Sequence, residues 1–312
     1  MRLLRRLRAR AAGEAGYVAT IGGFDGIHRG HRLLIDRARR QARSLGLQSM
    51  VLTFEPLPKE YFAPENPPAR LTNFRERWRL LERDGPDVLC ALRFNDLLRS
   101  MGALQFARML AAGGVQAVVI GHDFRAGYKG EASAEWFLRE GPALGLAVDV
   151  VPPVLGDGMR IGSGVIRTAL AQGDLQGAAR LLGRHYSMRG RVVLGEQLGR
   201  KLGYPTANLR LARRQAPMNG IFAVRVRGAG NGHGPGAALG GVASLGTRPT
   251  VGGRTPLLEA HLFDFAGDLY GREIEVEFVA RLRDELRFDT VDAMVVQMHR
   301  DAQDARAVLA AV

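Results

Sequence analysis

Residues 17–34 read YVATIGGFDGIHRGHRLL: an apolar β-branched run, a glycine-rich segment carrying an aspartate and two histidines, then the start of an amphipathic stretch. A plain turn needs one glycine, so the others require a second reason. Glycines directly after a strand let the backbone approach a phosphate, and the following helix N-terminus presents unpaired N–H groups to it. Gly22 and Gly30 suit that role, with Phe24 and Asp25 between them. The pattern starts the helix near Gly30, which puts His28 and His31 at its positive end. Imidazoles there donate hydrogen bonds to the charge developing on a pyrophosphate leaving group, and no protein nucleophile is needed. Asp25 reads two ways, as a cap on its own turn or as a group that places a nucleotide or its metal. Two histidines also suit zinc, but no third ligand lies nearby in the sequence. The stretch is neither GxGxxG nor GxxxxGKS, which argues against dehydrogenase and P-loop kinase readings.

Outward from this segment, residues 17–151 alternate short apolar runs with longer amphipathic ones. YVATI leads to a helical stretch over 31–45 and then SMVLTF; FRERWRLLERD precedes DVLCAL; MGALQFARMLAAG precedes VQAVVIG; SAEWFLREGPALG leads to LAVDVV. Five strands alternating with helices predict an α/β domain, an open doubly wound parallel sheet with helices on both faces. Ligands of such sheets collect beyond the carboxyl ends of the strands. The GHDFRAGYKG segment also follows a strand, so Asp123 is expected to meet a ligand at that edge. The lone cysteine, Cys90, lies in an apolar run and reads as core, and its solitude fits a reducing, cytoplasmic compartment. No apolar run reaches the roughly 18 residues of a membrane span. The basic opening MRLLRRLRAR lacks a signal-peptide core and reads as a solvated tail. A net charge of +13 suits phosphate-rich partners, but the arginines are scattered among acidic neighbours, so no specific nucleic-acid partner is expected.

The period changes near residue 186. RGRVVLG, GIFAVRVRG, AALGGVASLG, LLEAHLFDF and EIEVEFVARL are strand-like runs split by glycine and proline, which predicts a closed antiparallel β-barrel. The segment GAGNGHGPGAA has nothing to bury and reads as a mobile hairpin loop. Thr290 to Leu309 is helical, with Val291, Met294, Val295 and Met298 on a face expected to pack on the barrel. Two domains follow, 1–185 and 186–312. In GRKLGYPTANL, Gly199, Lys201 and Gly203 suit a loop that wraps phosphates, and Thr206 and Asn208, two apart, share one face of an extended segment. A hydroxyl and an amide oxygen so placed suit Mg²⁺ at a nucleotide's phosphates. Glu259 alternates with Leu258 and Ala260, so it faces the barrel mouth while they face the core. A carboxylate there is able to deprotonate an alcohol for phosphoryl transfer.

HxGH after TIGGFDG resembles the nucleotidyltransferase superfamily. Together with TFEPLP (53–58), GHDFRAG (121–127) and SGVIRTALAQGD (163–174) it resembles the adenylyltransferase half of the bacterial bifunctional riboflavin kinase/FAD synthetase family. GRKLGYPTANL, NGIFAV, GVASLGTRPTVGG, LEAHLFDFAGDLYG and LRDELRFDT are similar to its riboflavin kinase module. The resemblance implies that riboflavin is phosphorylated to FMN and that FMN is then adenylylated to FAD, with ATP and Mg²⁺ and without an obligatory protein partner. It implies Ser163 and Arg167 at the nucleotide of the first domain, Thr206 and Asn208 at Mg-ATP, Glu259 as general base, and Arg283, Glu285 and Phe288 beside the flavin. Taken without it, Ser163 also reads as a helix cap, Arg167 as a surface charge, and Arg283 with Glu285 as a surface pair. The chain departs from the family pattern at Leu57 (histidine), Gly164 (threonine) and Ala126 (an aromatic), which removes a hydroxyl contact and apolar contact area from the first domain. A kinase with little adenylyl transfer and a nucleotide- or RNA-binding protein remain as other readings.

Overall fold

The computed structural model describes all residues except 157, 196, 198, 200, 201, 231–237, 251, 252 and 312, and only the backbone of 248–250, 253 and 254. Lys201 and most of the expected glycine-rich hairpin therefore lie outside the described residues. Two compact units form, one from Met1–Pro68 and Arg77–Gly162, the other from Ala69–Glu76 and Ser163–Val312.

The first unit is a six-stranded parallel sheet. Its strands are β1 (Arg2–Leu4), β2 (Tyr17–Ile21), β3 (Gln48–Glu55), β4 (Val88–Arg93), β5 (Val115–Gly121) and β6 (Ala147–Val151), in the order β1-β4-β3-β2-β5-β6. Consecutive residues of β2 enter opposite cores, Val18 with Ala38 and Ala42 of α1 (Arg29–Ser44), and Ala19 with Phe106 and Phe137. Both faces are therefore covered, as continuous apolar strands require. Cys90 is part of this core, and burial pushes its thiol up to about 12, which makes it inert. The opening segment is not a solvated tail. It supplies edge strand β1, whose Leu3 pairs with Leu89, while Leu4 and Leu7 pack on the core. Leucines interleaved with arginines hide an apolar face that average composition misses.

The second unit is a closed six-stranded antiparallel barrel. Its strands are β7 (Ser187–Val193), β8 (Ala207–Arg210), β9 (Gly220–Arg227), β10 (Leu239–Thr250), β11 (Gly253–Leu262) and β12 (Glu273–Arg283), in the order β7-β8-β11-β10-β9-β12 with β12 returning to β7. Periodicity alone predicts five of these strands; the sixth, β8, is too short and too close to its glycine-rich loop to read as a separate run. Helix α2 (Val291–Ala310) packs through Ala302, Ala305, Val308 and Leu309 against Ala223 and Phe263. Met294 and Met298, expected at this packing face, line a cavity instead, and Val291 is exposed.

The segment 69–76 joins the barrel unit through a buried polar cluster. The Arg213 guanidinium donates to Glu76 at 2.5 Å and to the Tyr186 hydroxyl at 2.9 Å, and the second Glu76 oxygen accepts from the Arg189 N–H at 2.7 Å. Both charged side chains are almost wholly removed from water. Removing one partner of such a pair strands the other in low dielectric, at about 3–5 kcal/mol. Arg213→Leu is accordingly expected to lower the unfolding free energy of this unit by that amount in urea titrations. A change below about 1 kcal/mol would show that Glu76 finds water in the folded state.

Two candidate active sites

In the first unit β2 ends at Ile21, and the Gly22 N–H donates to Leu52 O at 3.0 Å. The backbone then turns into the left-handed region, with φ of +49° at Phe24, +86° at Gly26 and +41° at Ile27. Only the glycine takes that conformation without strain. The other two cost on the order of 1–3 kcal/mol each. Phe24 and Ile27 are both buried, which offsets about 1.5–3 kcal/mol apiece. Phe24, expected at a ligand, is therefore turned inward, and its ring lies 4.9 Å from that of His31.

His28 is the N-cap of α1, which begins at Arg29, one residue before the expected Gly30, and its Nδ1 accepts from the His31 N–H at 3.2 Å. An accepting Nδ1 fixes the tautomer, so Nε2 carries the proton and donates. The two imidazoles are stacked, 3.6 Å between centroids and 17° between planes. Gly30 makes room for this column, because a Cβ there would sit 3.2 Å from the His28 ring. His31 Nδ1 is buried and has no hydrogen-bond partner among the described residues. Burial, then the neighbouring His28, then Arg77 hold the His31 imidazole well below its ordinary value of 6.5. His31 is thus neutral at neutral pH and acts as an N–H donor rather than as a cation.

Arg77 is the residue that sequence reasoning missed. Fully buried, it donates to Gly23 O at 2.9 Å and to Glu55 at 2.7 Å, while Thr53 Oγ1 donates to the same Gly23 carbonyl at 3.1 Å. In FRERWRLLERD its charge is one of several, and nothing in the pattern marks it as the one turned inward. Asp25 is buried; Asp123, by contrast, is exposed and paired with Arg160. Ser163 and Arg167, expected at the same nucleotide, belong to the second unit: Ser163 opens the helix Ser163–Ala171, and Arg167 Nε donates to Ala69 O at 2.8 Å. Gly164 faces open space, since an added Cβ would meet nothing within 4 Å. Leu57 is buried beside Gly23.

A cavity of about 700 Å³ adjoins Gly22 and Gly23. Phe54, Tyr61, Phe62, Phe94, Phe106, Phe124 and Tyr128 line it, with Ala126 among them and Arg99, Arg125 and Lys129 as its cations. Ala126 thus sits on this wall among aromatic rings from segments far apart in sequence.

In the second unit Gly199, Thr206, Glu259, Arg283, Glu285 and Phe288 line one cavity of about 330 Å³, while Gly203 and the buried Asn208 are not among its lining residues. Glu259 lies in β11, in register with Asn208 of β8 and Ser244 of β10. Its neighbours Leu258 and Ala260 are fully buried while Glu259 lines the cavity, which is the alternation read from the sequence. Asn208 Nδ2 lies 3.4 Å from Thr206 Oγ1, and Gly203 takes a positive φ of +81° in the loop before them. Arg283 does not pair with Glu285. It makes a two-pronged contact with buried Asp301 of α2, at 2.8 and 2.6 Å. Tyr204, Ser244, His261 and the two methionines were not read from sequence as lining residues. Tyr204 OH and His299 Nδ1 are 2.5 Å apart, and His261 Nδ1 donates to Pro205 O at 2.9 Å.

Family models described as riboflavin kinase and FAD synthetase match residues 182–309 and 11–165. A bifunctional riboflavin kinase/FMN adenylyltransferase from Pseudomonas fluorescens is 42% identical over 99% of this chain and 98% of its own. The protein of that name from Escherichia coli K12 is 40% identical over 98% and 97%, and that from Haemophilus influenzae 38% over 98% and 99%. A crystal structure titled macrolide-efflux protein, from Streptococcus pneumoniae, is 31% identical and superposes with a TM-score of 0.80 over 97% of this chain and 98% of that one. Among the described residues no helix is long and apolar enough to cross a membrane.

The neutral His31 gives a pH signature. The unfolded chain takes up a proton near pH 6.5 that the folded chain refuses, so stability is fully present above that pH and falls as pH drops below it. The loss is at most about 1.4 kcal/mol per pH unit until the folded value is reached. Urea unfolding between pH 7.5 and 5.5 should show this slope in the parent and a shallower one in His31→Asn. Equal slopes in both proteins would place His31 in contact with water.

Proposed function

The chain belongs to the bifunctional riboflavin kinase/FMN adenylyltransferase family, and on that premise we propose how its residues divide two successive reactions. It is a riboflavin kinase and an FAD synthetase: riboflavin is phosphorylated to FMN, and FMN is adenylylated to FAD. In this reading ATP is the donor in both reactions, Mg²⁺ accompanies it, the compartment is the cytoplasm, and no nucleic acid or further protein is required. Adenylyl transfer is assigned to 1–185 and phosphorylation to 186–312.

The observation that carries the kinase half is the cavity shared by Glu259, Thr206 and Ser244. The ribityl 5′-oxygen attacks the γ-phosphorus while Glu259 takes its proton; the bond to the β–γ bridging oxygen breaks and ADP leaves. Among the described residues no cluster of three or more His, Cys, Asp or Glu is placed to hold a metal. Thr206 and Asn208 offer two neutral oxygens, which suits Mg²⁺, an ion that takes few protein ligands and completes its shell with phosphate oxygens and water. Bound there it would offset phosphate charge. Arg283, steadied by Asp301, and Phe288 border the flavin, with Glu285 beside them; Gly199, Lys201 and Gly203 serve the phosphates.

In the first unit an FMN phosphate oxygen attacks the α-phosphorus of ATP, and the bond to the bridging oxygen of the leaving pyrophosphate breaks. His28, through Nε2–H, and His31 donate to the charge that develops there. Gly22 and Gly30 admit the phosphates, Asp25 and Asp123 belong to the nucleotide side, and Phe24 acts through His31. The aromatic cavity beside Gly22 takes the isoalloxazine ring, with Arg125 and Lys129 available to its phosphate.

Glu259→Gln is expected to lower FMN formation from riboflavin by about 100-fold or more while supplied FMN still becomes FAD. Alanine at both His28 and His31 should do the reverse, since each donor lost costs about 100-fold or more. Chromatographic separation of FMN and FAD on the same preparations checks both, and unimpaired turnover by either variant removes its residues from the mechanism.

Arg77→Met removes one of the hydrogen bonds that hold the Gly23 carbonyl and is expected to lower FAD formation at least about tenfold, with FMN formation retained. Arg77→Lys, which keeps the charge and one contact, should lose less. Parallel loss of both activities in either variant would mean that the fold, not the loop, had failed.

A further inference from the structure

The amino-terminal edge of the parallel sheet carries a second concave site that neither reaction uses. A pocket of about 500 Å³ is lined by Arg2, Arg5, Arg6, Arg8, Arg10 and Glu14, and its floor includes Tyr17 and Gln48, the first residues of β2 and β3. Gly22 follows the other end of β2, so this pocket and the glycine-rich turn lie at opposite ends of that strand. The segment is built in rather than draped. Arg2 N–H donates to Asp87 O at 2.8 Å and Arg10 N–H to Ala112 O at 2.9 Å. A Cβ at Gly113 would strike Leu7 at 2.2 Å, and one at Gly114 would strike Arg10 at 2.7 Å, so these glycines form the cradle in which the segment lies.

The charge of the pocket is what asks for a ligand. Five arginines against one glutamate leave a formal charge of +4 on the lining. Arg2 donates to the Tyr17 hydroxyl at 3.0 Å and to Gln48 at 3.2 Å, neutral groups that position the guanidinium without cancelling its charge. Arg8 is held by Glu14 at 2.5 Å, and Glu14 is itself fixed by the Ala11 N–H at 3.0 Å. Like charges gathered around a concavity give it a positive potential that concentrates anions, and planar guanidinium groups match phosphate oxygens two at a time. We propose that this pocket binds a small polyphosphate anion, the chemistry shared by inorganic tripolyphosphate and the triphosphate of a nucleotide. Its volume suits a ligand of that size.

The test is amide NMR of the full chain titrated with inorganic tripolyphosphate, then with ATP and with AMP. Saturable shifts are expected at Leu7, Glu14 and Gly113 with both triphosphate probes and not with AMP; equal affinities mean that phosphate alone is read, and tighter ATP binding that the nucleoside is read too. The exposed triple variant Arg5→Ala/Arg6→Ala/Arg8→Ala should weaken this binding at least about tenfold while FMN and FAD formation persist. Glu14→Gln, which removes the opposing charge, should tighten it, a gain that misfolding does not produce. Shifts that grow without saturating, that survive the triple substitution, or that appear only at the histidine column and the barrel cavity would overturn the site. So would an oligonucleotide that binds these residues more tightly than tripolyphosphate.

Discussion

The Gly23 carbonyl, gripped by the buried Arg77 guanidinium and by Thr53, is the point on which the shape of the first unit's glycine-rich turn depends. A chain that leaves a strand, bends through two left-handed non-glycine residues and enters a helix has no reason to hold that shape unaided. Burial of Phe24 and Ile27 supplies the energy and Arg77 supplies the direction. The outcome is a stacked imidazole pair at the helix start, one ring locked in its tautomer by capping the helix and the other kept neutral by burial. Preorganised donors of this kind need little reorganisation when charge develops beside them.

The barrel reaches a comparable result by other means. Closure puts Glu259 between Asn208 and Ser244, because ladder register in a closed sheet leaves no freedom to slip. The carboxylate is positioned by strands that are themselves rigid, with fully buried Leu258 and Ala260 on either side to fix which way it points. Helix α2 then walls the cavity. Asp301 ties Arg283 to it, so a residue that looks like one member of a surface pair is a strut between strand and helix.

The basic opening segment shows how composition misleads when read as an average. Its arginines make it look solvated, yet Leu3, Leu4 and Leu7 give it a strand and a seat on the core. The arginines are thereby fixed around a pocket rather than dispersed, which is a different electrostatic object from a basic tail.

Periodicity made the two architectures legible: β-branched runs alternating with amphipathic ones over 17–151, and period-two runs split by glycine beyond 186. Local order also fixed the glycine turn before α1, the alternation that exposes Glu259, and the core position of Cys90, since each depends on neighbours within a few residues. What the sequence could not decide was which of many arginines goes inside, which strand is too short to show as a run, and which aromatics converge on one cavity. Arg77, Arg213, β8 and the ring set Tyr61, Phe62, Phe94 and Tyr128 are all of that kind. A buried charge looks in sequence like an exposed one, because its burial is settled by partners far away in the chain: Glu55 for Arg77, and Glu76, which lies 137 positions from Arg213. Tertiary structure alone brings such partners within hydrogen-bonding distance, where low dielectric makes their pairing obligatory.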